Sequence, residues 1–454
     1  MTAAVCSLVP AVLVGKEIRA EAFTISNGIS ITFDIDPAGV VFACASSVLW
    51  LIIIAYSIGY LKDVSMKNKA IFYIASAVCQ AAVTGLCFAA DLVSLFLFFE
   101  LMIVAAYPFT ALGNVHCSRN SQLRYILYML ISGLISYIAL VILYPAAGAM
   151  DFTPGGCLTE DVFRSISAKL AFLMLVFGGS TAAGIIPLHS WLTASRNSYA
   201  PSCAILQTVS VSSAGAFCIF RVVLYVFGPD LARSCGGMDI LAWMAIITII
   251  ISSLIAVTKT DLMSKITYNT LGQQAIIILG VCTATPFGTA GALYHIAAHG
   301  AAKIILIMAA GAVLLDIKRT QIKDLEGIGR RKPITMGAFA AASAGLAGLP
   351  LFAGFVSQSN IIYGAVNAGR PAYIAAIIFG SVLTMVNLMP VVLSAFRKVD
   401  DTGSAEAGKT GVFMLAAIMA ACLIVIILGI LPDAGLHLFD ASLMAGNSIF
   451  DPLM

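Results

Sequence analysis

Charge is what this sequence has least of. Its 454 residues include 25 Lys or Arg and 22 Asp or Glu, 10% of the chain, against about 25% in soluble domains. Hydrophobic residues make up 60%, and the mean hydropathy is +1.00. A single soluble core stops growing beyond roughly 250–300 residues, so this much apolar surface could not be buried in water. A soluble enzyme, a nucleic-acid binder and a disordered chain are excluded, and a polytopic membrane protein remains. The net charge of +3 is too small to imply an anionic partner. The 11 cysteines form no CxxC pair. Many fall in apolar runs, where Cys serves as a small hydrophobe, so neither a disulfide framework nor a metal cluster is indicated. There is no GxGxxG fingerprint and no cysteine set for iron–sulfur ligation. No cofactor, no metal and no active site of the chain's own are expected.

A helix needs about 20 apolar residues to cross the hydrocarbon core. That ruler gives twelve spans, at 40–60, 70–89, 91–113, 122–147, 169–192, 201–227, 240–258, 263–284, 288–315, 334–365, 372–396 and 411–431. Residues 3–14 are apolar but too short to cross unaided. Residues 21–36 partly alternate apolar with polar, which predicts a short strand pair at the surface. No basic residue precedes the first apolar stretch, which argues against a cleavable signal peptide.

Charge placement tests this map independently. Seventeen of the 25 basic residues, from Lys62, Lys67 and Lys69 through Arg330, Arg331 and Lys332 to Lys409, flank the loops of one side. Six (Lys16, Arg19, Arg164, Lys169, Arg233, Arg370) flank the other. The positive-inside rule then puts both termini outside the cytoplasm of a cell membrane. Arg221 and Lys303 fall within spans. Arg221 lies six residues from its span's end, close enough to reach the interface.

Two spans read as broken. A continuous helix over 334–365 would be about 48 Å long, well beyond a core of about 30 Å. Gly345-Leu346-Ala347-Gly348-Leu349-Pro350 interrupts it, as Gly184-Ile185-Ile186-Pro187 interrupts 169–192. These are the fifth and tenth spans, so they cross in opposite directions. Paired broken helices in oppositely oriented halves point to an ion path. The expected organisation is an N-terminal segment (1–39), a first span and loop (40–69), one repeat at 70–227, a second at 239–396, and a loop, last span and tail at 397–454. The fold class is all-α, with 12–14 transmembrane helices in two inverted five-helix repeats, each containing a broken helix.

An ionisable group at membrane depth costs about 2.5–3.5 kcal/mol even on a lenient scale, so each needs a reason. Glu100 sits ten residues inside its span, too deep for so short a side chain to reach water. It reads as a titrating or charge-pairing site, or else as a structural carboxyl bonded to a neighbouring helix. His295, His299 and Lys303 are spaced i, i+4, i+8 and share one face over about 12 Å of rise. Imidazoles gain and lose protons near neutral pH, and a lysine out of water releases its proton more readily. A proton path is the stronger reading than a polar stripe or a metal pair, since no carboxylate or thiol stands nearby in sequence. His189, just past Pro187, reads as a helix-end hydrogen-bonder. Gly403–Thr410 matches the phosphate-loop pattern GxxxxGK[ST] letter for letter. That loop works only between a strand and a helix in an α/β domain, so nucleotide binding is refused here.

The chain resembles the antiporter-like subunits shared by Mrp cation/proton antiporters, membrane-bound hydrogenases and respiratory complex I. The likeness runs from about residue 30 to 400. It rests on Phe98-Phe99-Glu100-Leu101 with Tyr107, Pro187-Leu188-His189-Ser190-Trp191-Leu192 with Ala200-Pro201, and Thr260-Asp261-Leu262 with Tyr268. It continues through His295, His299 and Lys303 followed by Gly311, then Asp324-Leu325-Glu326-Gly327 and Gly354-Phe355-Val356-Ser357. The run Gly327–Pro333 looks closer to the Mrp and hydrogenase branch.

The resemblance implies two inverted repeats with half-channels around broken helices, and a midplane chain of Glu, Lys and His. It also shows departures. Family lysine positions are occupied by Ala182, Ser213 and Gln358, a frequent histidine by Gln207, and a commonly basic position by Met263. Glu100 thus lacks its family counter-charge. Lys265 and Arg124 are the auxiliary basic groups, though Lys265 points to a different helix face. The expectation is a subunit of a multisubunit complex moving H⁺ or Na⁺ mainly through its C-terminal half, with a degenerate N-terminal half. Two other readings stay open: a non-pumping structural or coupling subunit, and a standalone secondary transporter.

Overall fold

The computed structural model describes residues 1–26, 29–64, 68–112, 119–398 and 410–450. Lys67, Lys409 and the 403–410 run up to Lys409 lie outside the described residues. Ten described helices are long and apolar enough to cross a membrane: Pro37–Asp63, Lys69–Cys87, Leu92–Ala111, Arg119–Ala147, Ile166–Ala183, Ala200–Val226, Gly237–Thr258, Pro286–Ile317, Pro371–Phe396 and Val412–Ile430. Each coincides with an expected span. The protein is an all-α, multi-pass membrane protein. One antiparallel hairpin, Arg19–Ser26 with Ile29–Asp34, lies where the alternation predicted strands.

The two remaining expected spans differ in kind. Leu262–Cys282 is a 21-residue helix whose polar residues lower its hydropathy. Those residues are buried, so this helix lies inside the bundle, where polar groups can meet one another rather than lipid. The 334–365 stretch is two helices, Pro333–Leu346 and Ala353–Asn367. Gly348, at φ +74°, turns the chain between them. The fifth span breaks likewise: Ile166–Ala183 ends on left-handed Gly184, and Ser190–Ser195 resumes it. Glycine without Cβ enters this region at little cost, which is why both breaks use it.

Burial sorts the helices into layers. Ala200–Val226 is buried along its apolar core, whereas Arg119–Ala147 and Val412–Ile430 leave most of theirs uncovered. The outer helices present Leu127, Leu130, Leu134, Leu423 and Ile430 outward, the apolar face a lipid-exposed helix must carry. Two short π segments, Ile205–Val209 and Val222–Val226, lie within the central span, and nothing in the sequence predicted them.

Asp91 and Asp261 do the same local work in different halves. Each caps a helix by accepting from the backbone N–H three residues on, at 2.8 Å from Ser94 and 2.7 Å from Ser264. Each lies beside a strand-like bridge, Asp91 to Asp151 and Asp261 to Gln321. The flanking backbone bonds repeat too: Leu92 to Met150 and Phe152 to Ala90, then Leu262 to Thr320 and Ile322 to Thr260.

Arg221 is buried, with 1% exposure, in an ion pair with Asp36 at the head of the first span. Its partner comes from the segment entering that span, which helical counting cannot foresee.

Candidate functional site

The polar interior gathers around Pro286–Ile317, which Thr285 caps at Gly288. His295, His299 and Lys303 lie along it and are all fully buried, each at 0% exposure. The two imidazoles face each other at 6.0 Å between centroids and 18° between planes. The Lys303 ammonium donates to the Ile266 carbonyl and lies beside the Cys203 thiol. Among the described residues it makes no salt bridge.

His295 sits between two neighbours of different chemistry. Its Nε2 is 3.0 Å from Gln273 Oε1 and its Nδ1 is 2.7 Å from Ser357 Oγ. Gln273 spends its NH₂ on the Leu346 carbonyl at 3.4 Å, which leaves its oxygen toward His295. Nε2 must therefore carry a proton. Ser357 can serve Nδ1 either way. It donates to a neutral ring, or accepts from a charged one while turning its own proton to Gly354 O at 3.0 Å. Both charge states of His295 are thus hydrogen-bonded, which is what a relay needs. Both His299 nitrogens are buried with no protein partner among the described residues.

Polar contacts extend this stripe at both ends. Beyond His295, Leu346 O at the second break also accepts from Gln358 at 3.1 Å, and Gln358 Oε1 accepts from Ser381 at 2.8 Å. Near Lys303, Gln207 Nε2 lies 3.0 Å from Cys203 Sγ and Ser195 Oγ and 3.2 Å from Thr267 Oγ1. Thr270 donates to Gln207 Oε1 at 3.2 Å. Gln273, Gln207, Thr267 and Thr270 were not singled out as a network from sequence. The signal was present, because Thr267, Thr270 and Gln274 recur at helical spacing inside a span.

The other predicted residues divide. Glu100 is half-buried, and a Cβ placed on Gly133 would lie 2.2 Å from its Oε1. The carboxyl thus rests against bare backbone, its Oε1 buried without a partner, and it makes no salt bridge among the described residues. Ala182 and Ser213 are fully buried, and Ser213 Oγ donates to Thr208 O at 2.7 Å. Arg124 is exposed and does not pair with Glu100. Lys265 reaches Ala256 O, Val257 O and Asn387 Oδ1 at 3.1, 3.3 and 2.8 Å, so it caps the end of Gly237–Thr258. His189 Nδ1 has no partner among the described residues, and its ring lies 6.3 Å from that of Tyr268.

A family model described as "NADH:quinone oxidoreductase/Mrp antiporter, TM" matches residues 89–384, the stretch that holds Glu100, His295, His299, Lys303 and Gln358. The chain belongs to this family. It is 28% identical over 346 residues to an N-type NADH-quinone oxidoreductase subunit of Desulforudis audaxviator, covering 76% of this chain and 68% of that one. It is 26% identical over 371 residues to a D-type Na⁺/H⁺ antiporter subunit of Bacillus subtilis, covering 79% and 74%. In fold it is similar to a chain of the Mrp complex from Dietzia sp., with a TM-score of 0.88 at 22% identity, covering 100% and 91%. A chain of the archaeal membrane-bound sulfane sulfur reductase gives a TM-score of 0.85 at 20% identity, covering 100% and 93%. The antiporter-like resemblance read from the motifs therefore stands.

Proposed function

We propose that this protein is an antiporter-like subunit of a multisubunit ion-translocating membrane complex, and that it moves ions mainly along the Lys303–His299–His295 face. The observation that carries this reading is His295, held so that either protonation state keeps its hydrogen bonds. N–H and O–H groups dominate the stripe, which favours H⁺ over Na⁺, an ion that needs a shell of oxygens. The complex-forming role is carried over from relatives whose names place them as subunits of such assemblies.

Two inverted repeats, at 70–227 and 239–396, within a 12-span fold, are supported by the matched Asp91 and Asp261 motifs. The shift that carries Asp91 onto Asp261 also carries Gly133 onto Lys303 and Glu100 onto Thr270. The same two places therefore hold a lone carboxyl in one half and a lone ammonium in the other. That asymmetry favours conduction through the second half, with the first serving assembly or lateral contact. Both termini face away from the cytoplasm in this reading, as the basic loops require.

The test is ion transport by the intact complex in sealed vesicles. Lys303→Ala should cut coupled proton movement at least tenfold with assembly normal. Unchanged transport would reduce the stripe to structure. Orientation is tested separately: a Lys323→Cys variant labelled from outside by an impermeant thiol reagent would refute it.

A further inference from the structure

Away from the ion path, the N-terminal helix lies against the first span. Thr2–Cys6 packs antiparallel to Pro37–Asp63: Thr2 Oγ1 donates to Ser47 O at 3.3 Å, and one turn on the Cys44 thiol reaches Val5 O at 3.9 Å. That antiparallel register, Thr2 against Ser47 and Val5 against Cys44, sets Cys6 beside Cys44. Cys6 is half-buried and Cys44 fully buried. The N-terminal pieces, Thr2–Cys6 and Val9–Leu13, are five residues each, too short to hold a helical fold by themselves.

We propose that Cys6 and Cys44 close into a native disulfide that staples the N-terminal helix to the first span. The proposal rests on the orientation given above, which exposes this end to an oxidising compartment. The oxidant is a disulfide-bearing protein of that compartment. Cys6, the more accessible thiol, loses its proton to water, and its thiolate attacks one sulfur of the oxidant's disulfide. A mixed disulfide forms and the oxidant's second sulfur leaves as thiolate. Cys44, its proton passed to that thiolate, then attacks the Cys6 sulfur, and the Cys6–Cys44 bond forms as the mixed disulfide breaks. The oxidant departs as a dithiol after taking up a second proton, having gained two electrons. Cys87 lies near Cys44 and is fully buried, so an oxidant cannot reach that pair first.

The experiment uses the intact complex in native membranes. Free thiols are alkylated in denaturant without reductant, and unreduced peptides are read by mass spectrometry. The expected result is a Cys6–Cys44 linked peptide from most chains, with Cys44 becoming alkylated in a Cys6→Ser variant. A Cys44–Cys87 link would overturn the proposal. So would finding both thiols alkylated, and treating the purified complex with diamide then locates the fault. No link even after diamide means the pairing geometry is wrong. A link only after diamide means the compartment, and with it the orientation, is wrong, which labelling at Lys323→Cys checks independently.

Discussion

Arg221 and Asp36, 185 residues apart in sequence, meet through two parallel hydrogen bonds, Nη1 to Oδ2 at 2.7 Å and Nη2 to Oδ1 at 2.5 Å. Asp36 also accepts from Gly39 N at 3.0 Å, capping the first span. The guanidinium lies 4.5 to 5.2 Å from the Tyr225, Phe217 and Phe152 ring centres. One side chain thus ties the first span, the hairpin end and the central helix together. Removing one member of a buried pair leaves an uncompensated charge, typically at a cost of about 3–5 kcal/mol. Arg221→Ala and Asp36→Ala should each sharply lower the thermal midpoint and the yield of assembled complex. Arg221→Lys should recover only part, since an ammonium cannot make the two-pronged contact. The Asp36→Ala/Arg221→Ala double variant should lose less than the two singles added together. Additive losses in that cycle would mean that the pair contributes no coupling.

The buried stripe proposed as the ion path was legible because helical spacing alone aligns His295, His299 and Lys303. Both breaks were legible too, since Gly184 and Gly348 stand where a continuous helix could not. What stayed hidden depends on contacts between distant segments. Arg221 finds its partner, Asp36, 185 residues earlier in the chain, which counting along its own helix cannot show. Ser357 was visible only as part of a motif; its role comes from Ala353–Asn367 packing beside His295. Lys265 was visible as a charge, but its bond to Asn387, 122 residues away, was not.

Ser357 gives the relay its most specific test. If its hydroxyl switches roles as His295 gains and loses a proton, Ser357→Ala should slow coupled transport several-fold while leaving assembly intact. Ser357→Thr, which keeps the hydroxyl, should restore most of the rate. Gln273→Leu removes the acceptor at Nε2 and should act in the same direction. Equal rates in Ser357→Ala and wild-type vesicles would sink the switching role.

Asp34 at the hairpin's end supplies a pH signature outside the spans. Burial first, and then the neighbouring Asp36 carboxylate, push its carboxyl above the ordinary value of 3.8. The folded protein therefore holds this proton more tightly than the unfolded chain does. The stabilisation is fully present below pH 3.8 and is lost as pH rises through the elevated folded value. Asp34→Asn, which stays neutral, should raise the thermal midpoint at pH 7 and leave it nearly unchanged at pH 3.5. An equal shift at both pH values would show that Asp34 acts through packing instead.

The most exacting test concerns Glu100, whose carboxyl lies against Gly133 with no salt bridge among the described residues. A relay through this half requires a counter-charge that can trade a proton with it. Ala182 and Ser213 occupy the family lysine positions, Lys265 is committed to a helix end and Arg124 faces outward. With no counter-charge to trade a proton with, the carboxyl serves packing, so Glu100→Gln should assemble normally and keep nearly all coupled transport. Glu100→Lys should fare worse, because it buries an unpaired charge. Gly133→Ala must displace the carboxyl, since its Cβ would fall 2.2 Å from Oε1. If the site is structural only, that variant should lose stability without a matching loss of transport per assembled complex. Vesicle transport normalised to assembled complex decides between the two roles. A Glu100→Gln complex that assembles but has lost most of its transport would mean that Glu100 titrates after all. The cation it needs would then have to come from a neighbouring subunit.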